Sequence, residues 1–156
     1  MGVRYSYLAQ QFADADDLWD ELKEFVKTGD FTLGKPLIEF EKNFAKLMGA
    51  KYAIGVNSGT DAIKLGLKVQ GIKPGDEVIV PIFTCTATNI PFLYMGVKII
   101  FADIQPHTMN IDPNHVRKLM NKNVKAIICV HYGGLPCDMD ELQVIADEWN
   151  VTIIED

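Results

Sequence analysis

The chain has 156 residues, 48% of them hydrophobic, and carries 15 Lys and Arg against 21 Asp and Glu for a formal net charge of −6. This composition fits one globular domain or part of a larger one and excludes a disordered chain. The acidic balance, with no basic cluster, argues against DNA or RNA as a partner.

The first third of the chain has the pattern of two helices. Apolar residues at helical spacing follow Asp16 and Asp17 and stop at Gly29, which predicts an amphipathic helix with a glycine end. A second apolar stripe predicts a helix from about Pro36 to Met48, with the proline in its first turn. We therefore expect residues 1–49 to form an amino-terminal helical arm.

From residue 50 onward, short apolar runs alternate with helical patterns. The predicted strands are Tyr52–Val56, Glu77–Pro81, Val97–Ile104, Val124–His131 and Val151–Glu155. The predicted helices are Asp61–Val69, Thr86–Tyr94 with an interruption near Pro91, Asp112–Met120 and Met139–Trp149. This order favours an α/β fold with a mainly parallel sheet and helices on both faces. Ligands of such sheets bind beyond the carboxyl ends of the strands.

The first carboxyl end carries "GVNSGTDAI", residues 55–63. Ser58 is suited to cap the following helix, and Asp61 is placed to reach back as in a capping box. Gly59 lets a ligand approach the backbone N–H groups, and a helix start of this kind favours a phosphate. An ordinary helix cap is an equally good interpretation of this stretch alone. The stretch is neither a GxGxxG nor a Walker motif, so a mononucleotide and a phosphorylated cofactor both remain open.

Two later strand ends also carry polar or aromatic side chains. "PIFTCTATN", residues 81–89, places Phe83 and several hydroxyls where a ring-shaped cofactor could stack and form hydrogen bonds, although a hydroxyl-rich helix start is the alternative. The last predicted strand ends in Glu155 and Asp156. Acids at that position are usually presented to a ligand, so the sequence predicts a binding role for Asp156.

The three cysteines do not indicate a disulfide framework. Cys85, Cys129 and Cys137 are an odd number, which fits a reducing compartment. No apolar run approaches the roughly 18 residues of a membrane helix, and the chain does not open with the pattern of a secretory signal, so we expect a cytoplasmic protein. His131 with Cys129 and Cys137 could bind zinc, but no fourth ligand has suitable spacing, and we expect no metal. A structural role is the better interpretation of His131.

Taken in order, the motifs resemble one family. "GDFTLGKPLIEFEKNFAKLMGAKYAIGVNSGTDAIKLGL", "GIKPGDEVIVPIFTCTAT", "GVKIIFADI", "NIDP", "VHYGGLPCDMDEL" and "IIED" resemble the amino-terminal part of the DegT/DnrJ/EryC1/StrS family. These are fold-type I, pyridoxal-phosphate-dependent nucleotide-sugar aminotransferases. The resemblance covers nearly all 156 residues. It implies that residues 50–156 are the first part of the large, PLP-binding domain, which is incomplete here and ends at its last strand.

The resemblance also implies roles for individual residues. Asp156 corresponds to the aspartate that pairs with the protonated pyridine nitrogen of PLP and keeps the ring electron-accepting. Gly59, Thr60 and Asp61 correspond to the phosphate site, which Ser58 begins.

The resemblance leaves open which residue stacks on the pyridine ring of PLP. The family often has an aromatic residue at the position of Cys85. Either Cys85 makes a thinner, polarizable contact with the ring or Phe83 takes over the stacking. The sequence leaves both assignments open.

For the whole enzyme, the resemblance implies a homodimer that transfers an amino group from an amino acid to the keto group of a nucleotide-linked sugar, with glutamate as the expected donor. The family's Schiff-base lysine lies beyond the "ED" pair, so we expect a fragment that is inactive alone. The alternatives are a PLP/PMP-dependent nucleotide-sugar dehydratase of the same family, in which a histidine replaces the lysine, and a non-catalytic nucleotide-binding or regulatory protein.

Overall fold

The structure is a computed structural model that describes residues 5–156. It consists of two compact units, Met1–Gly55 and Val56–Asp156. None of the helices in the described range has the length and apolarity to cross a membrane. The predicted division into an arm of residues 1–49 and a domain of residues 50–156 remains a prediction.

The first unit contains three helices. They are α1 (Leu8–Gln11), α2 (Asp16–Thr28) and α3 (Lys35–Leu47). Helix α2 ends as predicted, because Gly29 adopts a left-handed conformation with φ of 69° that its lack of a Cβ permits. The predicted second helix is also confirmed, with Pro36 in the first turn of α3. On α3, the rings of Phe40 and Phe44 stack with centroids 5.6 Å apart.

The predicted strand Tyr52–Val56 is wrong. This segment has no strand conformation, and Tyr52 and Ile54 are exposed. A β-branched run becomes a strand only when a neighbouring strand satisfies its backbone groups. Here the backbone N–H of Gly55 instead donates to the carboxylate of Glu41 at 2.7 Å.

The second unit is a parallel four-stranded sheet with helices between its strands. The strands are β1 (Glu77–Pro81), β2 (Lys98–Ala102), β3 (Val124–Cys129) and β4 (Thr152–Glu155). The helices are α4 (Gly59–Val69), α5 (Thr86–Tyr94), α6 (Pro113–Leu119) and α7 (Met139–Trp149). A short 3₁₀ turn, Tyr132–Gly134, follows β3. The predicted interruption of α5 is wrong, because the helix continues past Pro91, whose ring is buried.

Each face of the sheet has its own core, because side chains alternate along each strand. On one face, Ile79 and Ile127 pack with Val116 of α6 and Leu142 of α7. On the other, the neighbouring strand residues pack against α4 and α5, with residues Ile63, Leu67, Val78, Val80, Phe92, Ala126 and Ile128. The predicted parallel sheet with helices on both faces is confirmed.

The strand order is β2-β1-β3-β4. From β1 the chain adds β2 on one side of it and then crosses back to add β3 and β4 on the other side. The direction of winding therefore reverses between β1 and β3. Such a reversal opens a crevice at the carboxyl ends of the strands, where ligands bind. The last strand, β4, lies at an edge of this four-stranded sheet and pairs with β3.

Candidate functional site

A cavity of about 320 Å³ lies at the carboxyl ends of β1, β3 and β4, at the point where the winding reverses. Its lining residues are Phe83, Thr84, Cys85, Thr88, Val130, His131, Tyr132, Gly133 and Asp156. Three residues that the sequence singled out, Phe83, Cys85 and Asp156, therefore meet in one cavity. They come from chain segments that are more than 70 positions apart in the sequence.

Asp156 is held at the cavity from two sides. Its backbone N–H donates to the carbonyl oxygen of Cys129 at 2.9 Å and so continues the ladder between β3 and β4. Its Oδ2 accepts a hydrogen bond from the buried hydroxyl of Thr88 at 2.5 Å. The hydroxyls of Thr88 and Thr84 lie 3.0 Å apart. The carboxylate itself is exposed, so one oxygen is oriented by the protein and the group still faces the cavity.

An aromatic wall forms another part of the cavity. The rings of Phe83 and Tyr132 lie with centroids 4.9 Å apart and planes tilted by 52°. Cys85 stands at the N-cap position of α5 and is exposed. The cavity thus offers a ring ligand both an aromatic surface and a polarizable sulfur.

The N-terminus of α4 has the predicted cap. The backbone N–H of Asp61 donates to Oγ of Ser58, and the Ser58 hydroxyl donates back to the Asp61 carboxylate, each at 3.1 Å. Asp61 thus reaches back, but to the hydroxyl of Ser58 and not to its backbone N–H. The backbone N–H groups of Gly59 and Thr60 have no hydrogen-bond partner within residues 5–156. A Cβ placed on Gly59 would meet nothing within 4 Å, so there is open space beside the first residue of α4.

Helix α4 runs antiparallel to β4, which fixes the side on which its N-terminus lies. Near the start of β4, the Thr152 hydroxyl donates to Gln70 at 3.1 Å. One helical turn earlier, a Cβ on Gly66 would lie 4.0 Å from Ile154. From Gly66, the helix continues toward Gly59 for roughly 10 Å at about 1.5 Å per residue. The N-terminus of α4 therefore lies beyond the carboxyl end of β4, on the same side of the sheet as Asp156, although none of residues 58–61 lines the cavity.

His131 is tied into the structure through both ring nitrogens. Nδ1 accepts the backbone N–H of Cys137 at 3.1 Å, and Nε2 lies 2.8 Å from the carboxylate of Glu155. The hydrogen bond to Glu155 raises the pKa of His131. This placement supports the structural interpretation of His131, although its ring also lines the cavity.

Comparison with known proteins identifies the family. The sequence model of the DegT/DnrJ/EryC1/StrS aminotransferase family matches residues 13–156. The chain belongs to this family. Among its curated members, GDP-perosamine synthase of Caulobacter vibrioides is 42% identical over 125 residues, which cover 80% of this chain and 34% of the relative. The 3-oxo-glucose-6-phosphate:glutamate aminotransferase of Bacillus subtilis is 38% identical over 92% of this chain and 32% of its own length.

Solved structures of the family share the fold. S. venezuelae DesV, in complex with a ketimine intermediate, superposes with a TM-score of 0.91 at 33% identity and covers 98% of this chain and 42% of its own. E. coli GDP-4-keto-6-deoxy-D-mannose-3-dehydratase with bound hydrated PLP superposes with a TM-score of 0.82 at 30% identity, over 88% of this chain and 37% of its own. The predicted aminotransferase-type α/β fold is confirmed. The chain spans 32% to 42% of the length of these relatives.

Sequence reasoning did not single out Thr88 and Tyr132, two cavity residues with defined contacts in the structure. Thr88 lies one helical turn after Thr84 in a run of hydroxyl residues, and this spacing was the available signal for a pair that orients another group. Tyr132 follows β3 in an irregular turn, and no local pattern predicts that its ring meets Phe83. Only the pairing of β1 with β3 brings the two aromatic residues together.

Proposed function

We propose that this protein is a pyridoxal-phosphate-dependent enzyme that transfers an amino group from an amino acid to the keto group of a nucleotide-linked sugar. Glutamate is the proposed amino-acid donor. The main support is the carboxylate of Asp156, which Thr88 orients at the cavity where the winding of the sheet reverses, in a chain of this family. The name of the GDP-perosamine synthase supports a nucleotide-linked sugar as the substrate. The name of the 3-oxo-glucose-6-phosphate:glutamate aminotransferase supports glutamate as the donor.

The donors and acceptors on this side of the sheet suit PLP. The unpaired N–H groups of Gly59 and Thr60 at the positive end of α4 are suited to the phosphate oxygens. Asp156 is an acceptor for the protonated pyridine nitrogen, and Phe83 with Cys85 provides the cover for the ring. When bound, the cofactor supplies an electron-accepting ring for the amino-group chemistry.

Asp156 and Thr88 perform the decisive electrostatic task in this proposal. A carboxylate beside the pyridine nitrogen favours the protonated form of that nitrogen through charge attraction. Thr88 holds Oδ2, which leaves Oδ1 and the remaining lone pair of Oδ2 to accept the nitrogen-bound proton. Ser58 and Asp61 position the start of α4 and do not need to touch the ligand through their side chains.

No lysine lines the cavity within the described residues. We therefore propose that the Schiff-base lysine is a residue outside these 156, and that the 156 residues alone do not transaminate. A dehydratase is the second candidate, because a dehydratase of the family shares the fold closely. The unpaired cysteines support a cytoplasmic location. The family resemblance supports a homodimer, which light scattering after gel filtration tests.

Trapping of the cofactor tests the function. The purified protein is incubated with PLP, reduced with borohydride and digested, and the labelled peptide is identified by mass spectrometry. We expect one labelled lysine that lies outside residues 1–156. A protein that binds PLP without a trapped lysine is the dehydratase, and label on a lysine within the 156 residues refutes our proposal about the lysine.

A matched pair of glycine variants tests the phosphate site. Gly59→Ala adds a methyl group at the start of α4, next to the N–H donors, whereas Gly66→Ala adds the same methyl group near the other end of the same helix. Neither glycine has a positive φ, so neither variant strains the backbone. We expect Gly59→Ala alone to weaken PLP binding, by about tenfold or more. Equal affinities for the two variants contradict the phosphate assignment.

A further inference from the structure

Two buried thiols lie side by side beneath the cavity. Cys129 ends β3, and Cys137 lies just before α7. Their sulfur atoms and a ring nitrogen of His131 all lie within 4.8 Å of one another. The sulfurs belong to residues that are 0% and 5% exposed, so this pair is part of the interior.

The surroundings favour a thiol pair over a metal site. Both nitrogens of His131 already have partners, the Cys137 backbone N–H and the Glu155 carboxylate. The imidazole can therefore ligate a metal only by giving up one of these hydrogen bonds. A closed metal site of this kind also needs four ligands. The thioether of Met139, 3.7 Å from the Cys129 sulfur, is a weak addition to two thiols.

The two thiols differ in pKa, as the attacking and the resolving cysteine of a disulfide-forming pair do. The neighbouring Cys129 thiol lowers the pKa of Cys137 to about 6, and His131 contributes in the same direction. The neighbouring Cys137 and burial raise the pKa of Cys129. A second cavity of about 400 Å³, lined by residues 136–141, reaches Cys137 from the surface. A small oxidant therefore has both a nucleophilic sulfur to meet and a path to it.

We propose that Cys129 and Cys137 are a modification site, at which a peroxide-class oxidant converts the neighbouring thiols into a reversible disulfide. The Cys137 thiolate attacks a peroxide oxygen, the O–O bond breaks and hydroxide leaves, which gives a sulfenic acid. The sulfur of Cys129 then attacks this sulfur, and the S–O bond breaks. The departing oxygen takes the Cys129 proton and leaves as water, while the proton lost earlier by Cys137 neutralises the hydroxide. Two thiols are oxidised by two electrons, and one peroxide is reduced to two water molecules.

The site is connected to Asp156 by one hydrogen bond. The carbonyl oxygen of Cys129 accepts the backbone N–H of Asp156 at 2.9 Å. Both thiols are free in the structure, so a bond between the two sulfurs, with its length of about 2 Å, requires one or both side chains to rotate. We expect this rotation to displace Cys129 slightly and to lower the affinity for PLP by several-fold. This consequence, unlike the disulfide itself, rests on the proposed function.

Mass spectrometry of the reduced and desalted protein tests the site. Hydrogen peroxide is added, remaining thiols are alkylated, and the intact mass and the peptide map are recorded. We expect the loss of two hydrogen atoms, a linked peptide pair with Cys129 and Cys137, and full recovery with dithiothreitol. Sulfinic acid on Cys137 without a link, or a link that includes Cys85, overturns the proposal. Retention of stoichiometric Zn²⁺ by the two thiols also overturns it, in favour of a metal site.

Variants separate the outcomes. Cys137→Ser and Cys129→Ser should each abolish the link, whereas Cys85→Ser, which removes the exposed thiol, should leave it unchanged. The wild-type measurement stands even if a variant fails to fold. PLP titration of the oxidised and reduced protein is a separate test. A complete link with unchanged affinity refutes the connection to Asp156, and no PLP binding by the reduced protein counts against the proposed function while the disulfide result remains.

Discussion

Replacement of Thr88 by valine is the sharpest test of how the carboxylate of Asp156 is held. Valine has nearly the shape of threonine, so the variant removes the hydroxyl and leaves no cavity. The lost hydroxyl donates to Asp156 at 2.5 Å and contacts the hydroxyl of Thr84 at 3.0 Å. Thr88 is 3% exposed, so the protein supplies its partners.

The expected loss of stability depends on whether Asp156 and Thr84 regain hydrogen bonds to water in the Thr88→Val variant. A hydrogen bond to a charged group contributes about 1.5–3 kcal/mol, and one between neutral groups contributes about 0.5–1.5 kcal/mol. Asp156 is exposed and Thr84 is half-buried, so both regain water and the loss lies near the lower end. We expect Thr88→Val to lower the free energy of unfolding by about 2 kcal/mol and to weaken PLP binding by about tenfold.

Urea denaturation and a PLP titration measure these two effects. Thr86→Val is the matched control, because Thr86 lies on the same helix, is exposed and has no side-chain hydrogen bond within the described residues. Thr88→Ser keeps the hydroxyl and should restore most of the PLP affinity. A double-mutant cycle with Asp156→Ala isolates the pair itself. A coupling energy below about 0.5 kcal/mol shows that the hydrogen bond does not orient Asp156 and refutes the reasoning.

Three further substitutions or measurements extend the test. Ser58→Ala removes the cap of α4 and should cost about 1 kcal/mol in urea denaturation, and an unchanged midpoint contradicts the cap. Gly96→Ala should lower the free energy of unfolding by about 1–2 kcal/mol, and by more than Gly71→Ala. Both glycines have a positive φ, but only at Gly96 would a Cβ lie 3.3 Å from Pro74. Equal losses in the two variants rule out the contact with Pro74 as a cause. Modification of Cys137 by methyl methanethiosulfonate, which forms a mixed disulfide, should be fast above pH 6 and slow as the pH drops through about 6, because Cys129 and His131 stabilise the thiolate and the thiol form does not react. Glu155, which faces His131, supports this expectation, and a rate that rises only in alkaline solution disproves it.

The sequence was informative wherever a single segment contained the cause of its own structure. Helix α7 was predicted with its observed bounds, because its apolar stripe and the helix-ending Asn150 are local features. The Ser58 cap could be predicted for the same reason, since both partners lie within one helical turn. The parallel sheet followed from the alternation of strands and helices, and it did not depend on any individual boundary.

Features that depend on distant parts of the chain could not be predicted. Tyr52–Val56 has the composition of a strand, but composition does not reveal whether a partner strand is adjacent. The hydrogen bond between Thr88 and Asp156 joins residues 68 positions apart, and only the strand order places them together. The two sulfurs beneath the cavity meet because the turn after β3 folds Cys137 back toward Cys129, a path that residue spacing does not specify.

The strand order has a kinetic consequence. Because every pair in the sheet is parallel, each pairing must first close a loop that contains at least one helix, at an entropic cost that precedes any gain. The pairing of β1 with β3 encloses all of β2 and two helices, and within residues 5–156 β4 pairs only with β3. We expect pulse-labelled hydrogen exchange to show β1 and β2 protected first and β4 last. Asp156 then acquires its position only when the rest of the sheet has formed, so a partly folded chain does not yet possess the carboxylate that a cofactor would recognise.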